Sequence, residues 1–301
     1  MHIMTGKGDQ PVILVTGSGG QLGSELRRLS DQYPGNNFLF ATRAELPLND
    51  PGAIEAFFSR HSVEACINCA AYTAVDRAES EPESAYAINA DGPGLLAAHC
   101  HAQGARFIHI STDYVYDGSI HRPLKETDAV GPVNTYGASK LRGEEEALRR
   151  HPGALIIRTS WVYSSFGNNF VKTMLRLFSE RDRINVVNDQ VGSPTSAADL
   201  AGVILEFHAS IRAGGTISGV FNYCNTGITT WYDFAVAIRD YVHSGCVISP
   251  VPTAQYPTPA KRPAYSVLDT SKIASLLKDP IPSWQESLHK CLDRLTALRS
   301  A

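Results

Sequence analysis

An apolar run, Val12-Ile13-Leu14-Val15-Thr16, empties into a turn crowded with glycine, Gly17-Ser-Gly-Gly20-Gln-Leu-Gly23, and then into Ser24-Glu25-Leu26-Arg27-Arg28-Leu29, which has helical character. A strand that must turn sharply into a helix leaves few folds open. Glycine permits the tight turn, lets a pyrophosphate approach the backbone, and lets the helix pack against the strand. The first helical turn then offers unpaired N–H groups to an anion. The spacing is Gly-x-x-Gly-x-x-Gly, with Gly19 as a fourth glycine inside the turn. Taken alone, the motif leaves open a turn that holds no ligand.

The alternation continues. Apolar runs predict strands at 12–16, 37–42, 64–69, 106–111 and 154–160, with helices near 20–32, 51–60, 83–103 and 134–150 between them. That order predicts an α/β fold, a doubly wound parallel (Rossmann) sheet with ligands at the carboxyl ends of its strands. After residue 160 the pattern loosens. We expect a dinucleotide-binding domain over 12–163, completed by about 184–224, where segments 196–211 and 219–224 return to the sheet. A smaller C-terminal substrate-binding lobe takes 164–183 and 225–301, and residues 1–11 form a loose N-terminal extension. Pro252, Pro257, Pro259 and Pro263 make the stretch before 264 an extended loop.

The chemistry centres on Tyr136-Gly-Ala-Ser-Lys140, with Ser111-Thr112-Asp113 upstream. Residues i and i+4 share one helix face, so the Lys140 ammonium is expected under the Tyr136 phenol. A phenol titrates near pH 10, and a neighbouring cation is expected to lower that value, making Tyr136 a candidate proton donor. Gly17, Arg43, Ala70 and Thr112 follow successive strands, and Tyr136 opens the next long helix, so one crevice should gather them. Bulk properties suit a soluble, cytoplasmic enzyme. The net charge of −3 comes without long charged runs and argues against nucleic-acid or membrane-surface binding, and no stretch approaches the roughly 18 apolar residues of a membrane span. Six scattered cysteines fit a reducing compartment better than a disulfide framework. Cys66 and Cys69 lie three apart in a predicted strand, point to opposite faces and make a poor metal pair. Glu144, Glu145 and Glu146 are expected on a solvated helix face, and His99 and His101 face apart.

In these motifs the chain resembles the extended short-chain dehydrogenase/reductases, over nearly its whole length. Four further segments are similar to the branch that reduces the C4 ketone of dTDP-4-dehydro-L-rhamnose: Ala70-Ala-Tyr-Thr-Ala-Val-Asp76, Ser111-Thr-Asp-Tyr-Val-Tyr-Asp-Gly118, Arg158-Thr-Ser-Trp-Val-Tyr163 and Asp189-Gln-Val-Gly-Ser-Pro-Thr195. The resemblance implies an NADPH-dependent oxidoreductase, with NADH also allowed, acting on a small nucleotide-sugar substrate. It implies cofactor contacts from Gly17, Gly20, Gln21, Leu22, Gly23, Ala70, Ala71 and Tyr72, with Lys140 on the nicotinamide ribose. Tyr136 then gives the proton, and Thr112 holds the same oxygen. Val75, Asp113, Tyr114 and Trp161 surround the sugar, and Asn169 and Arg262 contact the nucleotide diphosphate. For Trp161 plain core packing, for Asn169 a helix N-cap, and for Arg262 an unengaged surface position are the competing readings.

Particular residues separate neighbouring functions. Sugar-nucleotide dehydratases of this family place a Glu after the Asp, whereas here Asp113 precedes Tyr114, so reduction is expected over elimination. Arg43 stands where an acidic residue would select the free ribose hydroxyl, and it points to the 2′-phosphate of NADPH. Pro47 replaces an Asp usual in the branch. Some relatives dimerise around magnesium. Glu25 matches one ligand, but Ala198 occupies another position with Asp199 displaced by one, and no clear ligand stands near Asp293-Arg294, so no metal is expected. The resemblance allows a homodimer. Another 4-ketoreductase or epimerase, or a non-catalytic cofactor-binding subunit like the relative that accompanies methionine adenosyltransferase, remain the alternatives.

Overall fold

The computed structural model describes residues 11–300. The extension expected at 1–11 lies, apart from Pro11, outside them. Six parallel strands form the main sheet: β1 (Val12–Thr16), β2 (Phe38–Ala41), β3 (Val63–Asn68), β4 (Arg106–Thr112), β5 (Leu155–Thr159) and, after the short strands given below, β10 (Gly219–Asn222). Their order is β10-β5-β4-β3-β1-β2. The chain leaves β1 for one edge and returns on its other side with β3, so the switch in winding lies between β1 and β3. That is where a doubly wound sheet opens a crevice for ligands.

Every residue of β1 and β5 is buried because helices cover both faces. On one face α1 (Gln21–Ser30) and α8 (Ala197–Arg212) pack Leu22, Leu26, Leu200 and Ile204 onto Ile13, Val15, Ile67 and Ile157. On the other, α2 (Pro51–Arg60), α5 (Gly92–Ala102) and α6 (Thr135–Arg150) press Ile54, Phe57, Leu96 and Ala147 onto Leu14, Cys66, Phe107 and Ile156. Each Leu, Ile, Val or Phe side chain among these, fully buried, contributes about 1.5–3 kcal/mol before entropy is counted. Between β3 and α5 the chain makes two short helices, α3 (Val75–Ala78) and α4 (Pro82–Tyr86), and a π turn at Ala87–Asp91. The helix expected over 83–103 is therefore α4, that turn and α5 in succession.

A separate apolar cluster forms from α7 (Phe170–Glu180), α9 (Trp231–Tyr241), α11 (Trp284–Ser300), and the pair β7 (Arg183–Val187) and β12 (Val247–Val251). Of the stretch 184–224, α8 and β10 do return to the main sheet, but β7 does not: it pairs with β12 instead. The remaining strands are two-residue pieces, β6 (Val162–Tyr163) with β9 (Thr195–Ser196), and β8 (Val191–Gly192) with β11 (Thr229–Thr230). The proline-rich stretch holds only a 3-10 turn, Thr253–Gln255, and α10 (Ser271–Ala274) follows it. Among the described residues no helix is long and apolar enough to cross a membrane.

Candidate active site

A crevice of about 1130 Å³ runs across the carboxyl ends of the strands, from Arg43 past the glycine turn to Trp161. Its floor is backbone. Gly17 has φ +63°, and a Cβ there would stand 2.7 Å from the backbone of Ala70, so only glycine lets the ends of β1 and β3 meet. Gly20 caps α1 with backbone alone, leaving the first N–H groups of the helix facing the crevice. Gly23 lies under the turn, where a Cβ would be 2.6 Å from the Gly17 carbonyl. Gln21, Leu22, Ala70, Ala71 and Tyr72 complete this end, and exposed Arg43 stands at its rim. These residues fit a dinucleotide: an open backbone cradle for diphosphate, a helix N-terminus, and a cation beyond β2.

The other end is built from buried side chains. Thr112 ends β4 and caps a 3-10 turn, Asp113–Val115, by accepting from Tyr114 N–H at 3.2 Å. Asn134 caps α6 by accepting from Gly137 N–H at 2.7 Å. Gly137 is required there: a Cβ would lie 2.2 Å from the Tyr114 carbonyl, so α6 docks directly on that turn. Thr112, Asp113, Tyr136 and Lys140 thereby share one wall. The Tyr114 and Tyr136 rings meet edge to face at 5.8 Å.

Lys140 does not behave as expected. Its Nζ donates to the Ile110 carbonyl at 2.6 Å and meets His109 Nε2 at 3.2 Å. Burial pushes Tyr136 up to about 12, with the Thr112 hydroxyl pulling the other way, and Lys140 is not among the causes. The lysine is drawn to the Ile110 carbonyl and His109 of β4 rather than to the phenol, so the predicted lowering of the Tyr136 pKa is absent. Burial also brings Lys140 down to about 8. It raises Asp113 to about 6, with hydrogen bonds from Ser266 and from Thr112 Oγ1 pulling the other way.

Several expected residues have different neighbours from those foreseen. Trp161 adopts φ +48°, a strained conformation for a bulky residue, and stacks on Trp231 with ring centres 3.7 Å apart, lining the crevice rather than filling core. Val75, Tyr114, Asn169 and Arg262 are not part of the crevice wall. Asn169 is the N-cap of α7: it accepts from Lys172 N–H at 3.1 Å and donates to Gln21 Oε1 at 3.0 Å. Arg262 is no idle surface residue, since it grips Asp76 through two donors at 2.9 and 3.0 Å and also donates to Thr258. That guanidinium holds the Asp76 carboxyl below its usual range.

The glutamates are a correction. Glu145 is exposed, but Glu144 is buried and receives Arg158 through Nη2 at 2.6 Å and Nε at 2.9 Å, with Ser111 Oγ as a further donor. Glu146, largely buried, collects Arg142, Arg149 and Arg150. Helix periodicity could not show this, because Arg158 arrives from β5. Sequence reasoning also passed over His109, Asn68, Asn89 and Trp231. Asn89 accepts from Tyr72 N–H at 2.8 Å and donates to Ser139 at 3.0 Å, tying the cofactor wall to α6. The available signal was polarity in the wrong place, as in Phe107-Ile-His-Ile-Ser-Thr112, where one strand face should be apolar. Cys66 lies in β3 and is buried in core, whereas Cys69 falls just past the end of that strand, against expectation, and borders the crevice; all six cysteines are free.

A family model described as the RmlD substrate binding domain matches residues 11–297. The dTDP-4-dehydrorhamnose reductase of Aggregatibacter actinomycetemcomitans is 40% identical over 283 residues, covering 92% of this chain and 96% of that protein. The chain belongs to the dTDP-4-dehydrorhamnose reductase family. Two solved members of the family share its fold. That of Clostridium acetobutylicum is 40% identical with a TM-score of 0.89, covering 94% of this chain and 99% of its own. That of Bacillus anthracis, solved in complex with NADP, is 35% identical with a TM-score of 0.89, covering 95% and 99%.

Proposed function

We propose that this chain reduces the C4 ketone of dTDP-4-dehydro-L-rhamnose to the alcohol, using NADPH. The observation that carries the reading is the convergence of Thr112, Tyr136 and Lys140 on one wall of a crevice whose other end is the glycine cradle. When bound, the reduced nicotinamide supplies the hydride. Tyr136, kept protonated by burial, gives its phenolic proton to the alkoxide that develops on the sugar oxygen. Thr112 Oγ1 donates its one hydroxyl hydrogen to Asp113 Oδ1 at 3.0 Å in the free enzyme, and turning that donor onto the sugar oxygen would let Thr112 hold the developing alkoxide. No carboxylate follows Asp113, so the wall lacks the second acid–base group that elimination needs.

The reading assigns the 2′-phosphate to Arg43, sugar contacts to Val75, Tyr114 and Trp161, and diphosphate contacts to Asn169 and Arg262. Asn169 and Arg262 are already engaged and would share their donors with the ligand. It places the enzyme in the reducing cytoplasm, supported by its free cysteines, with no nucleic-acid partner. It includes no resident metal. Glu25 is held by Ser164 at 2.7 Å and Arg28 at 2.8 Å, one on each oxygen, and Asp199 accepts from Asn225 and Ser287 through Oδ2, so internal donors already engage both carboxylates. Turnover is expected to be unchanged by EDTA, and a loss restored by magnesium would contradict this. A homodimer is compatible, since Thr112, Tyr136 and Lys140 come from one chain; light scattering reads the state. The direct test is NADPH oxidation with dTDP-4-dehydro-L-rhamnose, NADH in parallel, and identification of the product by NMR. dTDP-L-rhamnose supports the reading. Its C4 epimer would make the chain a different 4-ketoreductase, and NADPH binding without turnover would remove this substrate.

A further inference from the structure

A row of polar side chains crosses the apolar sheet beneath the active site. Strand register sets Thr16 beside Asn68 and Asn68 beside His109. The links are short: Thr16 Oγ1 to Asn68 Oδ1 at 2.6 Å, Asn68 Nδ2 to His109 Nδ1 at 2.9 Å, and His109 Nε2 to Lys140 Nζ at 3.2 Å. All four residues are buried. Donor and acceptor roles along the row are therefore constrained at every joint.

The backbone fixes one end. Ala70 N–H points at Asn68 Oδ1 at 3.2 Å, and turning the amide over would set that N–H against an NH2 group. Asn68 Nδ2 must then donate to His109 Nδ1, which has to present a lone pair. The imidazole proton consequently sits on Nε2 and faces Lys140. An ammonium has three donors and no acceptor, so two donors would oppose each other at 3.2 Å. An imidazolium would create the same conflict at Nδ1. A neutral amine relieves it, accepting from His109 Nε2–H while donating to the Ile110 carbonyl at 2.6 Å.

We infer that His109 is a positioning residue that holds Lys140 as a neutral amine in the cofactor-free enzyme at mildly alkaline pH, and that dinucleotide binding there recharges the lysine with a proton taken from solvent. The second half rests on the proposed cofactor site. The groups around Lys140 agree. Cys69, beyond β3, is held as a thiol by burial, and Tyr136 keeps its proton. Glu144, the nearby carboxylate, favours the ammonium, but burial outweighs it and Arg158 is paired with it. Burial lowers both Lys140 and His109. Bound phosphates add negative charge, and a ribose offers hydroxyl acceptors, both of which favour the ammonium. His109 thus supplies a proton-linked step between binding and chemistry.

The test begins with the free protein labelled with ¹⁵N at histidine, with the His109 resonances assigned by comparison with His109→Gln. The expected result at pH 8.5 to 9 is a bare Nδ1 and a protonated Nε2. An Nδ1–H tautomer or an imidazolium at that pH overturns the inference. The second measurement is calorimetry of NADPH binding at pH 8.5 in two buffers of different ionisation enthalpy. There the phosphates of the cofactor no longer titrate, their last pKa being about 6. Uptake of about half a proton or more per site is expected in the wild type. It should persist in His109→Gln, whose carbonyl can accept from Asn68 and whose amide can donate to Lys140, and fall away in His109→Leu. No uptake in the wild type, or equal uptake in His109→Leu, overturns the linkage. If His109→Leu does not fold, the wild-type tautomer and proton count still decide. Failure of every form to bind NADPH would instead sink the cofactor reading and leave the tautomer result standing.

Discussion

At the glycine end of the crevice the walls are backbone: a turn with φ +63° at Gly17, an α1 terminus capped by Gly20 alone, and the Ala70 backbone set against them. At the Tyr136 end they are ionisable side chains taken out of water, Asp113 and Lys140, backed by buried His109 and the Glu144–Arg158 pair. The first end needs only a chain path that few residues can follow. The second needs partners, because each buried polar group costs free energy unless another group answers it. Changes at the second end should therefore propagate into stability and pH dependence, while changes at the rim of the first should alter only the ligand preferred.

The largest effect is expected from Glu144→Ala, which leaves the Arg158 guanidinium buried and unpaired. Denaturant unfolding should show a loss of about 3–5 kcal/mol, whereas a loss below 1 kcal/mol would mean that water replaces the carboxylate. Next comes Tyr136→Phe. Turnover should fall by about a hundred- to ten-thousandfold with NADPH affinity retained, and near-normal turnover would remove Tyr136 from the chemistry.

Asp113→Asn sharpens the comparison through pH. Folding raises this carboxyl from 3.8 to about 6, so its contribution is fully present below pH 3.8 and is lost as pH rises through 6. The Asn variant lacks that loss. Its stability relative to wild type should improve by roughly 2–3 kcal/mol between pH 4 and pH 7, and a pH-independent difference would contradict the burial argument. The smallest effect belongs to the exposed rim: Arg43→Ala should raise the KM for NADPH about tenfold, worth about 1.4 kcal/mol, and leave NADH nearly untouched. Equal effects on both cofactors would separate Arg43 from the 2′-phosphate.

The same contrast explains what could be read beforehand. The glycine turn, the strand–helix alternation and the Tyr136/Lys140 spacing are local, so they show in a linear chain. Asn68 and His109 are single polar residues in apolar strands, and only the pairing register of β3 with β4 makes them neighbours. Glu144 looked solvated because the face it occupies is set by Arg158 from β5. Lys140 was expected under the Tyr136 phenol on spacing alone, yet the Ile110 carbonyl and His109 on β4 claim it. The same limitation applies to β7, whose partner β12 lies some sixty residues away in sequence.

The most direct test of the central claim is a single turnover with dTDP-4-dehydro-L-rhamnose and NADPH carrying deuterium in place of its transferable hydride, the product being read by NMR. Deuterium at C4 of dTDP-L-rhamnose is the predicted result. Cofactor bound tightly but left unoxidised, or a product labelled anywhere other than C4, would contradict the account.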